Sequence, residues 1–381
     1  MKNTSALSRR NFLKLSASAL AGLAFLNLPQ PAFASRAGIK KVSLADCPVD
    51  PVEVAKGSDC VQNAWSFLLE TTAALKDAAL RDKVQQVLTF PAPTFMQQYV
   101  TDSSIQQIYQ QLLQNGLVDA SKITAETLFP PGKSDQVPQP FYSAPGSGYN
   151  SHHSYPGGLA THTAVNVTIV QGIIQTYRTI FGYEDSADTA VAGELLHDLA
   201  KPWVFQWQAD GSSLPEQTIA GTGAHHIFSI AESIFREIPP AVITAQACAH
   251  NHPGTASDEA QVVHWIKAAA ILAQKDPIRY GLLSPDGTTL PLPHKQAGFI
   301  VHLGDHDFVL SGPAAQQSAA MLKTVAQKEY GLQASELDGL AFHKIRNYVG
   351  AQFSFMRLQQ AMSAGDPYSA AAKITKSILL P

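Results

Sequence analysis

Residues 195–201 read Leu-Leu-His-Asp-Leu-Ala-Lys and close an apolar helical segment that Pro202 terminates. Adjacent residues on a helix diverge by about 100° around its axis, so the side chains of His197 and Asp198 point in different directions. An aspartate placed in this way can bridge two metal ions, while the neighbouring histidine binds only one of them. The segment therefore predicts a metal site built on helices.

Further ligand-type residues occur on the predicted helices on either side. Apolar residues at i, i+3 and i+4 predict helices over residues 159–181, 186–201, 222–237, 240–250 and 258–276. On these helices, or within two residues of their ends, lie in chain order His162, His197 and Asp198, His225 and His226, His250 and His252, and Asp276. A helical bundle can project side chains from several helices into one central site. Imidazole and carboxylate together suit Fe, Mn, Zn, Ni or Mg, so we predict one or two divalent metal ions.

The order His, His-Asp, His, His, Asp resembles the HD-domain superfamily of metal-dependent phosphohydrolases. The local sequences agree beyond the ligands in five segments, at 157–163, 195–201, 224–232, 249–254 and 268–276. The resemblance covers about residues 150–280 and implies the metal ligands His162, His197, Asp198, His226, His250 and Asp276. His225, His252 and His153 are further candidates for metal or substrate contacts. The Ala-Glu pair at 231–232 favours His226 over His225 as the ligand.

The resemblance implies a phosphohydrolase or phosphodiesterase in which a metal-activated water attacks a small phosphoester or a nucleotide. Asp198 and Lys201 are the expected catalytic residues. Lys201 lies one helical turn after Asp198 and faces the same site, where its charge would bind the substrate phosphate. Two alternatives remain open. Some proteins of the same superfamily hold a di-iron centre with these ligand types and are oxygenases, and a non-catalytic sensory module would keep the metal without turnover.

The rest of the chain is also predicted to be mainly helical, so the expected fold class is all-α. We expect a helical bundle of HD-domain type with additional N- and C-terminal helices. Residues 35–150 form an N-terminal helical region, 151–281 the metal-binding domain, and 282–381 the C-terminal helices that pack on it. Gly, Pro and β-branched residues within 283–312 predict one small β-hairpin around Gly304. The polar residues near this glycine, His302 and 305–307, are interpreted as the hairpin tip.

The first 34 residues resemble a twin-arginine signal peptide. Ser-Arg-Arg-Asn-Phe-Leu-Lys at 8–14 precedes an apolar run at 15–28 and a small-residue cleavage site at 32–34. The apolar run is too short for a membrane span. We therefore expect a periplasmic or secreted protein that uses the twin-arginine export machinery and keeps no membrane contact after cleavage. In an oxidising compartment Cys47 and Cys60 could pair or remain free.

The composition excludes several other classes. Hydrophobic residues make up 45% and charged residues 15%, a balance typical of globular proteins. Four of the 27 basic residues lie in the first 34 positions, so the remaining chain carries 23 bases against 30 acids. This acidic balance argues against a stable nucleic-acid partner. The resemblance to phosphohydrolases implies a small-molecule phosphoester as the partner. Three cysteines exclude a disulfide-rich scaffold and a cysteine-rich zinc module.

Overall fold

The structure is a computed structural model that describes residues 41–183 and 187–381. The predicted signal peptide at 1–34 lies outside the described residues. Within the described residues the fold is all-α, as predicted, with only two pairs of two-residue strands. In the part of the chain that the structure describes, no helix combines the length and apolar character needed to cross a bilayer.

The helices alternate with short loops and single turns of 3₁₀ helix. In chain order they are α1 (Pro51–Lys56), α2 (Asp59–Ala73), α3 (Ala78–Thr89), α4 (Asp102–Gln114), α5 (Gly158–Phe181), α6 (Ala187–Leu196), α7 (Lys201–Val204), α8 (Ala224–Phe235), α9 (Pro240–Ala247), α10 (Ala256–Leu272), α11 (Lys295–Gly304), α12 (Phe308–Tyr330), α13 (Leu340–Phe353), α14 (Phe355–Ser363) and α15 (Pro367–Ile378). The strands are β1 (Val42–Ser43), β2 (Thr218–Ile219), β3 (Thr222–Gly223) and β4 (Leu379–Leu380). Strand β1 pairs in parallel with β4, and β2 pairs antiparallel with β3.

Polar caps in the sequence set several helix starts. Asp50 accepts a hydrogen bond from the amide of Val52 at 2.8 Å, and Asp77 accepts one from the amide of Ala79 at 2.9 Å. Each bond satisfies an amide that has no partner inside the helix. These caps explain why α1 and α3 begin where they do.

The centre of the molecule is a bundle formed by α5, α6, α8, α9 and α11. Helix α6 packs against α5, α9 and α11, and α11 also packs against α5. The facing apolar side chains are fully buried and include Val167, Val170, Leu195, Ile227, Ile243 and Val301. Helix α2 covers α5 from outside, and α10 covers α8. The bundle includes α11, which lies beyond the expected domain boundary at residue 281.

The C-terminal helices form a second apolar cluster. Helices α12, α14 and α15 pack on one another, and α13 lies against α1 and α2. This cluster contains Leu322, Tyr348 and Phe355 together with Cys47 and Tyr155 from the N-terminal half. Tyr155 belongs to the loop that precedes α5, so the C-terminal cluster reaches the loop beside the central bundle.

The predicted hairpin around Gly304 is wrong, because residues 295–304 form helix α11 and 305–307 form a 3₁₀ turn. Its glycines allow close helix packing instead of a β-turn. A Cβ atom at Gly298 would lie 2.5 Å from the sulfur of Cys248, and one at Gly304 would lie 2.5 Å from Val170. The packing requirement therefore explains the glycines in a segment that is helical.

Cys47 and Cys60, which the sequence allowed to pair, are free thiols in the structure. Cys47 lies in the C-terminal apolar cluster, and burial raises the pKa of its thiol to about 11. Burial also raises the pKa of Cys60. Both groups are therefore protonated at neutral pH, the form that is least reactive in disulfide exchange.

Candidate metal centre

The ends of four bundle helices deliver a cluster of histidines and carboxylates. His197 and Asp198 follow the last residue of α6, and Asp305 follows the last residue of α11. His225 lies in the first turn of α8, and His250 lies three residues after α9. Backbone groups at helix ends are not all engaged within the helix, so these positions can hold polar side chains inside an apolar bundle.

Helix α5 brings His162 to the same cluster from its second turn. The helix begins at Gly157 and Gly158, where no side chain fits. A Cβ atom at Gly157 would lie 2.4 Å from Val61, and one at Gly158 would lie 1.6 Å from the carbonyl oxygen of His153. Gly157 also has a φ of 84°, which favours glycine. The Gly-Gly pair thus lets the loop and α5 approach closely enough to place His162 in the centre.

Asp198 lies in the middle of the cluster and is 1% exposed. Its Oδ2 atom lies 3.1 Å from Nε2 of His162 and 3.0 Å from Nε2 of His197. Its Oδ1 atom lies 3.4 Å from Nε2 of His225. The ammonium of Lys201 also contacts Oδ2. The two oxygens of one carboxylate therefore face two different sets of histidines.

The first set consists of His162, His197 and Asp305. Oδ1 of Asp305 lies 3.3 Å from Nε2 of His162 and 3.4 Å from Nε2 of His197. Asn166 donates a hydrogen bond to the same oxygen at 2.9 Å. The ligand atoms of these three residues lie within 4.8 Å of one another, close enough to hold one metal ion.

The second set consists of Asp198, His225 and His250, whose ligand atoms also lie within 4.8 Å of one another. Oδ2 of Asp305 is 3.7 Å from Nε2 of His250, so Asp305 lies beside both sets. The carboxylates of Asp198 and Asp305 therefore each lie close to histidines of both sets.

Hydrogen bonds from outside the cluster orient two of the imidazole rings. Nδ1 of His197 donates to the carbonyl oxygen of Glu194 at 2.7 Å, and Nδ1 of His225 donates to Oε1 of Glu216 at 2.5 Å. In the neutral ring each of these bonds leaves the Nε2 lone pair directed into the cluster. This arrangement is typical of metal-binding histidines, whose second nitrogen donates to a carbonyl or carboxylate.

Several buried atoms of the cluster form no well-directed hydrogen bond among the described residues. They include both carboxylate oxygens of Asp198 and Nε2 of His225. Buried polar atoms are nearly always satisfied in folded proteins, and such exceptions indicate a bound ion or a functional site. All of these atoms are acceptors, so the residues fit one or more cations.

The charges of the cluster shift its pKa values in opposite directions. Burial alone would raise the pKa of Asp198, but His197 and Lys201 outweigh it and hold that pKa well below its usual range. Burial opposes the charged form of His197, yet Asp198 and Asp305 raise its pKa well above its usual range. Burial and the neighbouring His225 lower the pKa of His250 to about 4. His250 is therefore neutral and ready to bind metal, whereas metal binding at His197 must release a proton.

The structure brings most of the predicted site residues together, but it replaces His226 with His225. The ring of His226 stacks on that of His250 with centroids 4.1 Å apart, and its Nε2 donates to the carbonyl of Ala247 at 3.2 Å. His226 therefore supports the cluster from behind. The two neighbours diverge by about 100° around α8, and the orientation of this helix directs His225 toward Asp198 and His226 toward Ala247.

Asp276, predicted as the last ligand, lies outside the cluster. It is exposed, its Oδ1 accepts from the amide of Ile278 at 2.9 Å, and it lies 3.6 Å from the guanidinium of Arg279. It caps a turn after α10, and Asp305 occupies the place expected for it. The sequence signal for Asp305 is the run His-Leu-Gly-Asp-His-Asp at 302–307, whose polar residues and glycine also fit a hairpin tip.

The two remaining candidates, His252 and His153, have different surroundings. Nδ1 of His252 accepts from the amide of Gly254 at 3.0 Å, and its ring stacks on Phe299, so it lies outside both sets. Nε2 of His153 lies 2.6 Å from Oδ2 of Asp307. His153, His162 and Asp307 form a third group of ligand-type atoms beside the first set.

A cavity of about 260 Å³ opens onto the second set. His225, His250, Asp305 and Lys201 form part of its wall. Lys201 is the first residue of α7 and is almost fully buried, and it donates to the carbonyl of Gly146 at 2.5 Å as well as contacting Asp198. A small anionic molecule in this cavity would meet both the candidate metal ligands and a buried positive charge.

The fold and the site together define an all-α protein with a buried histidine–carboxylate centre suited to divalent metal ions. No family model and no solved structure matches the chain. Among curated proteins it is similar to the dihydroneopterin 2′,3′-cyclic phosphate phosphodiesterase of Methanocaldococcus jannaschii, with 33% identity over 123 residues. The match covers 32% of this chain and 49% of that protein, so the chain spans about half the length of this curated relative. That relative is a phosphodiesterase, which agrees with the resemblance to metal-dependent phosphohydrolases.

Proposed function

We propose that this protein is a divalent-metal-dependent phosphohydrolase or phosphodiesterase acting on a small phosphoester or nucleotide. The observation that carries the proposal is the position of Asp198, a buried carboxylate whose two oxygens face two histidine sets. One shared carboxylate between two cations is a recurrent arrangement for displacement at phosphorus. The similarity to a curated phosphodiesterase supports phosphoester hydrolysis over the oxygenase alternative.

The donor set fits two divalent ions. His162, His197 and Asp305 would hold one, His225 and His250 the other, and Asp198 would contact both. When bound, such an ion lowers the pKa of a water molecule and polarises a phosphoryl oxygen. Imidazole and carboxylate donors suit Fe, Mn, Zn or Ni in particular.

The chain's own residues orient the substrate and its surroundings. Glu216 fixes the ring of His225 by accepting from both its amide and its Nδ1. The ammonium of Lys201 donates to the Gly146 carbonyl, lies in ionic contact with Asp198 and lines the cavity. It can therefore attract a phosphate oxygen in the cavity, where a fixed positive charge stabilises the additional charge of the transition state.

The central experiment combines metal analysis with a panel of phosphoesters and the variant Asp198→Asn. The purified protein should contain tightly bound divalent metal and hydrolyse phosphoesters such as bis(p-nitrophenyl) phosphate or a 2′,3′-cyclic nucleotide. A chelator should abolish this activity, and added metal should restore it. Asp198→Asn should remove bound metal and activity together, because the neutral amide cannot serve both sets. Full metal occupancy in that variant, or full activity without metal, would contradict the proposal.

Lys201→Ala separates phosphate binding from metal binding. The protonated lysine cannot be a ligand, so the variant should keep its metal. Its kcat/KM should fall by about 10²–10³, the scale lost with one electrostatic stabiliser. Lys323→Ala, which removes a surface lysine paired with Asp338, is the matched control and should retain activity. Unchanged turnover in Lys201→Ala would remove the proposed role of this residue.

We also propose that the protein is exported through the twin-arginine machinery and acts in the periplasm or as a secreted enzyme. The Arg-Arg pair at 9–10 and the small-residue site at 32–34 support this proposal.

A further inference from the structure

One wall of the cavity consists of aromatic rings that the proposed metal chemistry does not use. His302, His306 and Phe308 come from the end of α11 and the start of α12, and His152 comes from the loop before α5. The centroids of His306 and Phe308 are 5.4 Å apart, and those of His152 and Phe308 are 6.4 Å apart. We call these four residues the ring wall.

Phe308 is the apolar ring of the ring wall. It lines the cavity, yet it is 46% exposed. Its neighbours on the ring wall are imidazoles at tilted angles of 40° and 43° to its plane. Covering such a ring with another planar group is energetically favourable.

Two imidazoles of the ring wall present hydrogen-bond acceptors. Nδ1 of His302 donates to the carbonyl of Ala249 at 2.9 Å, and Nδ1 of His306 donates to the carbonyl of His302 at 2.6 Å. In the neutral rings these bonds leave both Nε2 atoms as acceptors. Neither Nε2 atom has a hydrogen-bond partner among the residues that the structure describes. A ligand that carries N–H donors would satisfy them.

The ring wall is joined to the candidate metal centre by the chain itself. Asp305, which lies beside both ligand sets, directly precedes His306 and lies three residues before Phe308. A phosphoester held near Asp305 and Lys201 would therefore extend its alcohol group toward the ring wall. The volume of about 260 Å³ limits this group to a small molecule.

We propose that the ring wall is the subsite for a planar nitrogen heterocycle carried by the substrate, and that Phe308 determines this specificity. The inference rests on the proposed function and adds the substrate class: phosphoesters of a heterocycle-bearing alcohol, in preference to those of simple polyols. The heterocycle lies against Phe308, and its N–H groups donate to His302 and His306.

The experiment compares two five-membered cyclic phosphodiesters, one of which carries a nitrogen heterocycle on its alcohol while the other is the ester of a simple polyol. These are adenosine 2′,3′-cyclic phosphate and glycerol 1,2-cyclic phosphate, assayed with the metal-loaded protein. Stacking of one base on an aromatic residue predicts that Phe308→Ala raises KM for the adenosine ester about tenfold. KM for the glycerol ester should change by less than about twofold, since this ester carries no planar heterocycle that could stack on Phe308. Phe308→Tyr keeps an aromatic face and should restore the preference.

Phe299→Ala is the matched control, because Phe299 is also a partly exposed phenylalanine but stacks on His252 outside the ring wall. It should leave both KM values unchanged. An equal effect of Phe308→Ala on both esters, or no effect on either, would overturn the proposed subsite.

Binding of adenosine alone, followed by NMR line broadening, separates this inference from the proposed function. Hydrolysis of neither ester would count against the proposed function, and adenosine binding would still decide the subsite. Weaker binding to Phe308→Ala than to the wild-type protein supports the subsite, and equal or undetectable binding to both rejects it.

Discussion

His225 and His226 are neighbours in the chain, but their environments assign them different tasks. His225 lies beside Asp198 and receives support from Glu216, whereas His226 is fully buried between His250 and Trp265. Burial, reinforced by the neighbouring His250, holds the pKa of His226 well below its usual range. His226 is therefore a neutral packing residue, and His225 is the candidate ligand.

This assignment predicts different metal contents for two variants. His225→Ala should lose the metal held by the second set, because only Asp198 and His250 would remain in it. His226→Gln should retain full metal occupancy, since its side chain does not reach either set. Metal content measured by mass spectrometry on natively purified protein tests both. Loss of metal in His226→Gln with retention in His225→Ala would reverse the assignment.

The buried His226 also predicts acid sensitivity of the metal-free protein. Its pKa is lowered on folding, so its stabilising contribution is present above the unfolded value of about 6.5 and is lost as the pH falls. Between pH 7 and pH 5 this histidine binds a proton in the unfolded chain but not in the folded chain. The difference lowers the free energy of unfolding by up to about 2 kcal/mol. Urea unfolding should show a smaller acid loss for His226→Gln than for the wild-type protein. Parallel pH profiles for the two proteins would contradict this role.

At the scale of elements, helix α13 connects the C-terminal cluster to the site. Its Arg346 is 2% exposed and donates to the carbonyl of Ser154 at 2.5 Å, to Oγ of Ser154 at 2.7 Å and to the carbonyl of Tyr149. The guanidinium also lies 4.0 Å from the centre of the Tyr149 ring. These contacts hold the loop that carries His152 and His153. The same loop contains Gly146, whose carbonyl oxygen accepts a hydrogen bond from Lys201.

Arg346→Met should therefore destabilise both the fold and the loop. The change leaves buried carbonyl oxygens of the loop without donors, at a cost of about 2–4 kcal/mol in the free energy of unfolding. Metal content should persist because no ligand is altered, while KM rises as the cavity wall loosens. Arg357→Met, which removes a guanidinium lying over Phe353, is the control and should have a smaller effect. Equal free energies of unfolding in urea for the wild-type protein and Arg346→Met would show that Arg346 does not stabilise this loop.

At the scale of the whole molecule, the two apolar clusters share the loop before α5. Tyr155 from this loop packs in the C-terminal cluster, while its hydroxyl lies 3.0 Å from Oγ1 of Thr161 on helix α5, which carries the candidate ligand His162. Strand β4 at the C-terminal end pairs with β1 near residue 42. The described regions before and after the bundle therefore fold together around one side of it.

The proposed export can be tested on the full-length precursor. Replacing Arg9 and Arg10 by lysine should leave the precursor in the cytoplasm, because the twin-arginine pathway requires the arginine pair. The wild-type protein should be recovered in the periplasm or medium with Ser35 as its first residue. Fractionation and N-terminal sequencing measure both results. Export that is unaffected by the double change would refute the proposed route.

The all-α fold and most of the cluster could be predicted because they depend on local patterns. Apolar periodicity identified the helices around His162 and His197, and the adjacent His-Asp pair marked the centre. The C-terminal boundary of the site could not be predicted in this way. The glycines within 283–312 indicated a hairpin around Gly304, whereas Gly298 and Gly304 lack a side chain because Cys248 and Val170 pack against them.

The sequence by itself determined the helices that carry the histidines, but not α11, and it indicated that histidines and carboxylates gather among them, because hydrophobic periodicity and residue chemistry are properties of short segments. Only the tertiary structure decided that Asp305 and not Asp276 completes the centre, and that His225 and not His226 faces it. Both choices depend on the rotation and packing of α8 and α11 within the bundle. That packing is set by contacts between residues far apart in the chain, which no local pattern records.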